Sequence, residues 1–187
     1  MVTIGVDEVG RGSWAGPVVA GAVVLDTHIA GLKDSKLLSK KQRDSLDKEI
    51  RNKSTAFAIG WSSVDVINEH GLSYAISEAM NMAVSQIPGY YDEIIIDGNF
   101  NFLPKLKGVK VIPKADNLFE AVSAASIIAK VYRDNLMAQL ANKYPEYGFD
   151  KHVGYGTKLH LDQLKKFGPC TIHRLGFKPI KSLLSAA

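Results

Sequence analysis

The strongest limit on the fold of this chain comes from residues 93–98, Glu-Ile-Ile-Ile-Asp-Gly, where the apolar residues are consecutive and an acid stands on each side. A strand with one solvated face alternates apolar and polar residues, whereas a strand covered on both faces is apolar throughout. The segment therefore predicts a central strand of a sheet that carries helices on both faces.

The remaining segments alternate in a way typical of an α/β protein. Short runs rich in β-branched residues predict further strands at residues 2–8, 18–25, 55–62 and 109–113. Helical spacing predicts helices at residues 40–53, two within 64–87 separated at Gly71, a long one from Leu118 to Leu140, and one at 158–167. We expect a loop at residues 144–156 and an irregular tail from Gly168. The predicted class is α/β, with a mixed sheet flanked by helices.

Composition narrows the class of protein. The chain has 187 residues, of which 46% are apolar and 22% charged, as in a globular protein of one domain. Its longest uncharged stretch, residues 12–25, is shorter than the ~18 apolar residues that span a membrane. Residues 1–7 lack the basic start of a signal peptide, so we expect a cytoplasmic protein. Cys170 is the only cysteine, which excludes an intrachain disulfide and a zinc site of several thiolates.

Charge is unevenly distributed along the chain. Residues 1–100 hold 9 Lys and Arg against 13 Asp and Glu, while residues 101–187 hold 14 against 6. A basic half of this kind indicates a polyanionic partner such as a nucleic acid. Surplus lysine also serves solubility alone, so charge by itself leaves both interpretations open.

Four acids stand where a predicted strand ends or the long helix begins: Asp7, Glu8, Asp97 and Asp116. Carboxylates gathered at strand ends suit Mg²⁺, and a pair of such ions serves phosphodiester hydrolysis. Simpler interpretations exist, with Asp116 as the N-cap of the long helix and Asp97-Gly98 as a turn. Adjacent strand residues point to opposite faces, so Asp7 and Glu8 share a site only if the strand ends or bends there.

Candidate substrate contacts are less specific. Gly10-Arg11-Gly12 follows the first strand and can bring backbone N–H groups and a guanidinium to a phosphate, although such loops commonly only turn the chain. Tyr155 lies among glycines and basic residues, where a ring stacks on a nucleotide or packs on the core. Other polar side chains are interpreted as surface groups: Lys36, Lys130, Arg133, His152 and His160.

Taken together, six segments of the chain resemble ribonuclease HII, the bacterial type 2 ribonuclease H. These segments are GVDEVGRGSWAGPVVAGAVVL (5–25), DSKLLS (34–39), IIIDG (94–98), KADNLFEAVSAASIIAKVYRD (114–134), HVGYGTKLH (152–160) and IHRLGFKPIK (172–181). They span nearly the whole chain, and the first and fourth are long and unusual. The resemblance is therefore far more specific than any single motif.

This resemblance implies a ribonuclease H-like fold with a five-stranded mixed sheet flanked by helices. The implied activity is hydrolysis of RNA in RNA–DNA hybrids and cleavage on the 5′ side of a ribonucleotide embedded in duplex DNA, leaving 3′-hydroxyl and 5′-phosphate ends. The implied cofactor is a pair of Mg²⁺ or Mn²⁺ ions. Metal binding and catalysis are assigned to four positions of this sequence: Asp7, Glu8, Asp97 and Asp116.

Contacts to the nucleic acid are implied in the same way. Gly10, Arg11 and Gly12 would contact the ribose 2′-hydroxyl and nearby phosphates, Tyr155 would sense the junction to the next deoxynucleotide, and Lys36 joins this substrate-binding set. We expect one catalytic domain over residues 1–187, with a basic segment at 144–187 that adds substrate contacts. The expected protein is a monomer with no membrane partner, and its role is to remove ribonucleotides and RNA primers from DNA.

Three positions depart from the family pattern: Trp14, Val153 and Gly176. We expect none of them to touch one of the four acids, and Val153 removes a charge near the substrate, which bears on affinity more than on chemistry. Asp134, inside a matching segment, is interpreted as structural support. Two rival functions stay open, a module that binds hybrid duplexes without cutting them and another metal nuclease on the same fold.

Overall fold

The computed structural model describes residues 1–185 and contains one five-stranded mixed sheet in the order β3-β2-β1-β4-β5. Its strands are β1 (Thr3–Val9), β2 (Val18–Val24), β3 (Ala56–Ser62), β4 (Glu93–Asp97) and β5 (Val109–Ile112). Strands β1, β2 and β3 pair antiparallel, whereas β4 is parallel to both β1 and β5. The predicted α/β class and mixed sheet are confirmed.

Seven helices surround the sheet within the described residues. They are α1 (Lys40–Lys53), α2 (Val64–His70), α3 (Leu72–Ser85), α4 (Glu120–Lys143), α5 (Phe149–His152), α6 (Lys158–Phe167) and α7 (Lys178–Ser185). Local chemistry sets several of their ends. A capping box between Ser39 and Gln42 starts α1, and Gly71, with φ of 85°, separates α2 from α3.

Two glycines let α4 lie close against the sheet. A Cβ at Gly5 on β1 would lie 2.2 Å from the Ala121 carbonyl carbon, and one at Gly21 on β2 would lie 2.3 Å from the Ala125 oxygen. Any larger residue at either position would push the helix away. The close approach places the first half of α4 directly over β1, and on the opposite face α3 covers a separate apolar cluster that includes Ile76.

The structure differs from the expectations at three places. Helix α4 begins at Glu120, so Leu118 precedes it and is exposed. Helix α5 and the 3-10 turn Pro145–Tyr147 interrupt the expected loop. The tail also contains α7, which buries Ile180 in a small core formed with segments far away in the chain. That helix depends on long-range packing, which local spacing does not reveal.

No helix within residues 1–185 combines the length and the apolar character needed to cross a membrane.

Candidate active site

Two acids occupy equivalent positions on neighbouring parallel strands. Asp7 follows Val6 on β1 and Asp97 follows Ile96 on β4, and Val6 pairs with Ile96 in the register of the two strands. Asp7 shares a face of β1 with Gly5, the face on which α4 packs. The parallel register therefore brings the two carboxylates to the same end and the same face of the sheet.

Glu8 follows Asp7 on β1, where side chains ordinarily alternate between the two faces of a sheet. The strand does not end at the pair of acids, because its pairing with β2 continues to Val9, opposite Val19. The Glu8 N–H donates to Asp7 Oδ1 at 2.8 Å, and the Glu8 carboxylate, with only 11% of its side chain exposed, lies 3.6 Å from the Arg11 guanidinium. The strand therefore continues through the two acids, but the charge of Glu8 still acts on Asp7 and that of Asp97 on Glu8, so the Glu8 carboxylate lies near both at this end of the sheet.

Asp116 lies in the 3-10 turn Ala115–Asn117 that precedes α4. Its interpretation as an N-cap is wrong, because the N-cap of α4 is Phe119. Asp97 does more than form a turn, since its Oδ1 accepts the Ala115 N–H at 2.8 Å. This hydrogen bond joins the end of β4 to the turn and holds Asp116 beside Asp97.

The four acids act on one another electrostatically. Burial raises the pKa of Asp7 well above its ordinary value, and the charges of Glu8 and Asp97 raise it further. Burial also raises the pKa of Glu8, an effect that Arg11 opposes and Asp97 reinforces. The pKa of Asp116 is raised by burial and next by Asp97. The cluster is therefore a concentration of negative charge that a cation would stabilise.

Residues 1–185 contain no group of three or more histidine, cysteine or carboxylate side chains already arranged to hold a metal ion. The donor set nevertheless fits a hard divalent cation, because it consists of carboxylate oxygens whose repulsion such an ion relieves. Mg²⁺ typically completes its shell with water and phosphate oxygens, so a few protein ligands suffice.

The four acids lie outside the cavity of about 330 Å³ that Trp61 and Tyr132 help to line.

The loop Gly10-Arg11-Gly12 lies directly beside the acids. Gly10 has φ of 91°, and a Cβ there would lie 2.3 Å from Arg133 Nε, so no other residue fits without displacing that side chain. A Cβ at Gly12 would meet nothing within 4 Å. Gly10 is therefore required by the fold, whereas Gly12 leaves open space where a ligand can approach the backbone.

Two arginines that support this loop were missed by the sequence analysis. Arg133 and Arg174 are both completely buried, which overturns the interpretation of Arg133 as a surface cation. Arg133 donates to the carbonyls of Ala15, Pro17 and Val153, and Arg174 donates to those of Arg11, Gly16 and Pro17. A signal for Arg133 existed, because it falls on the buried stripe of α4 between Ala129 and Met137.

Tyr155 and Lys36 approach the site from other segments. Tyr155 forms an isolated antiparallel bridge with Ser13, immediately after the Gly10-Arg11-Gly12 loop. Its ring lies 5.6 Å from both Lys130 Nζ and Arg133 Cζ. Lys36 is 83% exposed, and its charge acts to lower the pKa values of Glu8 and Asp116 that burial raises. Lys36 therefore acts on the acids directly, whereas Tyr155 lies beside the segment that follows Gly12.

The departures from the family pattern also have structural settings. Trp14 packs against Gly156, where a Cβ would lie 2.1 Å from its ring, and contacts the ring of His160. Val153 adopts a left-handed conformation with φ of 44°, which is unfavourable for a β-branched residue. Nothing lies near a Cβ at Gly176. Asp134 bonds Lys130 at 2.7 Å and pairs with Arg43 at 3.7 Å, as structural support requires.

Comparison with known proteins gives a consistent result. A family model described as Ribonuclease HII matches residues 4–180. Ribonuclease HII of Idiomarina loihiensis is 47% identical over 184 residues, which cover 97% of each chain. Ribonuclease HII of Francisella philomiragia is 42% identical over 187 residues, which cover 98% of this chain and 100% of that one.

Solved structures resemble the whole fold. The ribonuclease H2 from Pyrococcus horikoshii OT3 has a TM-score of 0.83 at 28% identity and covers 100% of this chain and 98% of its own. Bst-RNase HIII in complex with Mn²⁺ shares the fold, with a TM-score of 0.75 at 24% identity over 100% of this chain and 70% of its own.

Proposed function

Because this chain belongs to the ribonuclease HII family, a family of ribonuclease H endonucleases that act on RNA–DNA hybrids, we propose that it also cleaves DNA on the 5′ side of a single embedded ribonucleotide. The observation that carries this proposal is the position of the four acids next to the Gly10-Arg11-Gly12 loop. An enzyme that cuts at a ribonucleotide needs two sets of groups, those that hydrolyse the phosphodiester and those that contact the 2′-hydroxyl. The two sets must lie within about one nucleotide of each other.

The acids would hold the ions that the reaction uses. Asp7, Glu8, Asp97 and Asp116 are the proposed ligands, and their carboxylate oxygens match the preference of Mg²⁺ and Mn²⁺. When bound, a pair of such ions supplies an activated water and stabilises the leaving 3′-oxygen, giving 3′-hydroxyl and 5′-phosphate ends. The hydrogen bond from the Ala115 N–H to Asp97 keeps Asp97 at the end of β4 close to Asp116 in the turn.

Recognition of the ribonucleotide falls to the loop and to Tyr155. The backbone of Gly12 is open to a ligand, so its N–H can reach the 2′-hydroxyl, the one group by which such a site distinguishes RNA from DNA. Arg11, whose side chain is 61% exposed, and Lys36 would contact phosphates of the nucleic acid. Tyr155 packs beside the loop and would stack at the junction to the next deoxynucleotide.

The basic C-terminal segment would extend the contacts along the duplex. Helix α6 carries Lys158, Lys165 and Lys166 on its exposed surface, and phosphate contacts of this kind give salt-dependent affinity without sequence preference. We propose that residues 144–187 serve this purpose within a single catalytic domain that acts as a monomer, and that the protein removes ribonucleotides and primers from DNA. Residues 186 and 187 of this segment lie outside the described part.

A cleavage assay on three end-labelled duplexes tests the proposal. The duplexes are DNA with one ribonucleotide, an RNA–DNA hybrid and all-DNA, each incubated with Mg²⁺ or Mn²⁺ and with a chelator control. We expect metal-dependent cutting on the 5′ side of the lone ribonucleotide and none of all-DNA. Binding of the hybrid without any cutting would support the non-cleaving module instead. Equal cutting of all-DNA would support another metal nuclease on this fold and overturn the 2′-hydroxyl recognition.

A further inference from the structure

Three histidines form a buried cluster next to the segment that carries Tyr155. The sequence analysis expects two of them, His152 and His160, on the surface, and that expectation is wrong. His152, His160 and His173 are all nearly or fully buried. The rings of His152 and His160 stack at 4.4 Å between centroids. His160 Nε2 and His173 Nε2 lie 3.0 Å apart. A direct contact between two buried imidazole nitrogens requires one to donate and the other to accept.

The surrounding bonds determine which nitrogen donates. The backbone N–H of Cys170 donates to His173 Nδ1 at 2.9 Å. The Cys170 carbonyl oxygen lies farther from that nitrogen, at 3.3 Å, and already accepts the His173 backbone N–H at 3.0 Å, so we assign no proton to Nδ1 of His173. The neutral His173 must then carry its proton on Nε2 and donate to His160 Nε2. His160 is left with its proton on Nδ1, which donates to the Tyr155 carbonyl oxygen at 3.0 Å. Burial lowers the pKa of both histidines to about 4, which keeps both neutral at pH 7.

This chain of bonds ends at the residue that is proposed to sense the nucleic-acid junction. The Tyr155 carbonyl accepts a second bond from the Thr157 N–H at 2.9 Å, so both of its lone pairs are used. On the other side, the Trp14 N–H donates to the Gly154 carbonyl at 2.8 Å. The Tyr155 backbone is therefore held between the loop that follows Gly12 and the histidine pair.

We propose that His160 and His173 are positioning residues for Tyr155, because their directional hydrogen-bond chain fixes the backbone from which the Tyr155 ring reaches the substrate. The proposal deepens the proposed function and rests on it for the role of Tyr155. Its physical basis is that a buried donor in a single tautomer defines one orientation of its acceptor, whereas apolar packing alone leaves the loop free to shift.

The tautomers can be measured without any substrate. In protein labelled with ¹⁵N-histidine, long-range ¹H–¹⁵N correlation spectra distinguish a protonated from an unprotonated ring nitrogen. We expect a protonated Nδ1 on His160 and a protonated Nε2 on His173 at pH 7. The signals are assigned with the variants His160→Asn and His173→Gln. The opposite tautomer on either ring would break the chain of bonds and overturn the proposal.

Variants then test whether the chain positions Tyr155. His160→Leu removes the donor, and we expect kcat/KM for DNA with one ribonucleotide to fall at least about fivefold more than for the hybrid, as in Tyr155→Ala, a difference of about 1 kcal/mol. His160→Asn keeps an N–H near the position of Nδ1 and should restore most of the activity. The double variant His160→Leu/Tyr155→Ala should be no worse than Tyr155→Ala alone.

Phe149→Leu is the matched control, since the buried Phe149 ring contacts both His160 and His173 but forms no hydrogen bond with them. It should lower stability without changing the ratio between the two substrates. An equal loss on both substrates in His160→Leu, or full additivity with Tyr155→Ala, would leave His160 with a purely structural role.

Hydrogen exchange separates failure of this proposal from failure of the proposed function. In His160→Leu, the amides of Trp14 and Tyr155 should exchange faster than in Phe149→Leu, while that of Ile95 in the sheet should exchange alike in both. If the wild-type protein cuts no duplex, the proposed function fails and exchange alone decides the positioning. Unchanged exchange at Tyr155 would then overturn it.

Discussion

Arg133 and Arg174 donate to the same acceptor, the carbonyl oxygen of Pro17, at 3.0 and 3.1 Å. Both guanidiniums are fully buried, and within residues 1–185 neither forms an ion pair with a carboxylate. Backbone carbonyl dipoles therefore accept their hydrogen bonds, and the rings of Tyr155 and Phe177 lie 5.6 and 5.5 Å from Arg133 Cζ and Arg174 Cζ. These carbonyls belong mostly to the segment around Gly16, so the loop that carries Arg11 rests on two buried cations.

We expect Arg174→Lys to destabilise the protein although it keeps the charge. Pro17 keeps its bond from Arg133, but lysine cannot replace the guanidinium at the carbonyls of both Arg11 and Gly16, and each buried acceptor left unpaired costs about 1–3 kcal/mol. The expected loss is about 3 kcal/mol in the free energy of unfolding, measured by urea denaturation. Arg51→Lys on α1 is the control and should change stability by less than about 0.5 kcal/mol. Equal effects of the two variants would contradict this view of the guanidinium.

The two glycines of the loop should respond differently to alanine. Gly10→Ala places a Cβ against Arg133 at a left-handed φ of 91°, and we expect it to lower both stability and activity. Gly12→Ala enters open space and should leave the urea midpoint unchanged while reducing cleavage at least tenfold. The comparison requires only denaturation curves and the cleavage assay. Full activity of Gly12→Ala would mean that the substrate does not approach this backbone.

Metal binding should stabilise the wild-type protein through the four acids. At a tenfold excess over Kd, Mg²⁺ or Mn²⁺ should contribute about 1.4 kcal/mol, or about 3–5 °C in Tm for a chain of this size. Asp7→Asn preserves the shape of the side chain but removes a ligand, so it should abolish cleavage, retain duplex binding and lose this rise in Tm. The same rise in the variant would place the ions elsewhere.

Tyr155→Ala should discriminate between substrates. A ring that stacks at the junction between a ribonucleotide and the next deoxynucleotide contributes about 1–3 kcal/mol, and a continuous RNA strand offers no such junction at most of its positions. We expect cleavage of DNA with one ribonucleotide to fall at least fivefold more than cleavage of the hybrid, with Tyr90→Ala as an exposed control. Equal losses on both substrates would show that Tyr155 is not a junction sensor.

Stability should decrease in mild acid because of the histidine pair. Burial holds the folded pKa of His160 and His173 at about 4, so below pH 6.5 the unfolded chain binds protons that the folded protein does not. The free energy of unfolding is therefore unaffected by protonation of these two histidines above pH 6.5 and decreases as the pH falls from 6.5 toward 4. Each histidine lowers it by up to about 1.4 kcal/mol per pH unit in that range. His152, Tyr147 and Cys170 are the titratable neighbours.

The measurement is the urea midpoint at pH 7.5, 6.5 and 5.5, compared with the double variant His160→Asn/His173→Gln. Asp7 and the other acids have raised pKa values, which act in the opposite direction, but they cancel in the difference between the two proteins. The double variant should lose less stability in acid than the wild-type protein. Parallel pH profiles would contradict the burial of neutral histidines.

Local sequence patterns were sufficient for most of the sheet and for naming the four acids as candidates. A consecutive apolar run and a 3.6-residue period are properties of neighbouring residues, so they predict β4 and α4 without knowledge of the partners. The segments that resemble ribonuclease HII are also local patterns, and they single out four acids: Asp7, Glu8, Asp97 and Asp116. They were not sufficient for α7, whose helical turns are stabilised by Ile180 packing in a distant core.

The sequence by itself determined the class of fold, the family and which acids are candidates for chemistry. Only the tertiary structure decided how the segment from Gly10 to Pro17 and the backbone of Tyr155 are supported. Arg174 meets Gly16 across 158 positions of the chain, and His173 reaches Tyr155 through His160. From sequence alone, an arginine or a histidine is predicted to lie on the surface. Its burial becomes favourable only when the packed fold brings hydrogen-bond partners from distant segments to it.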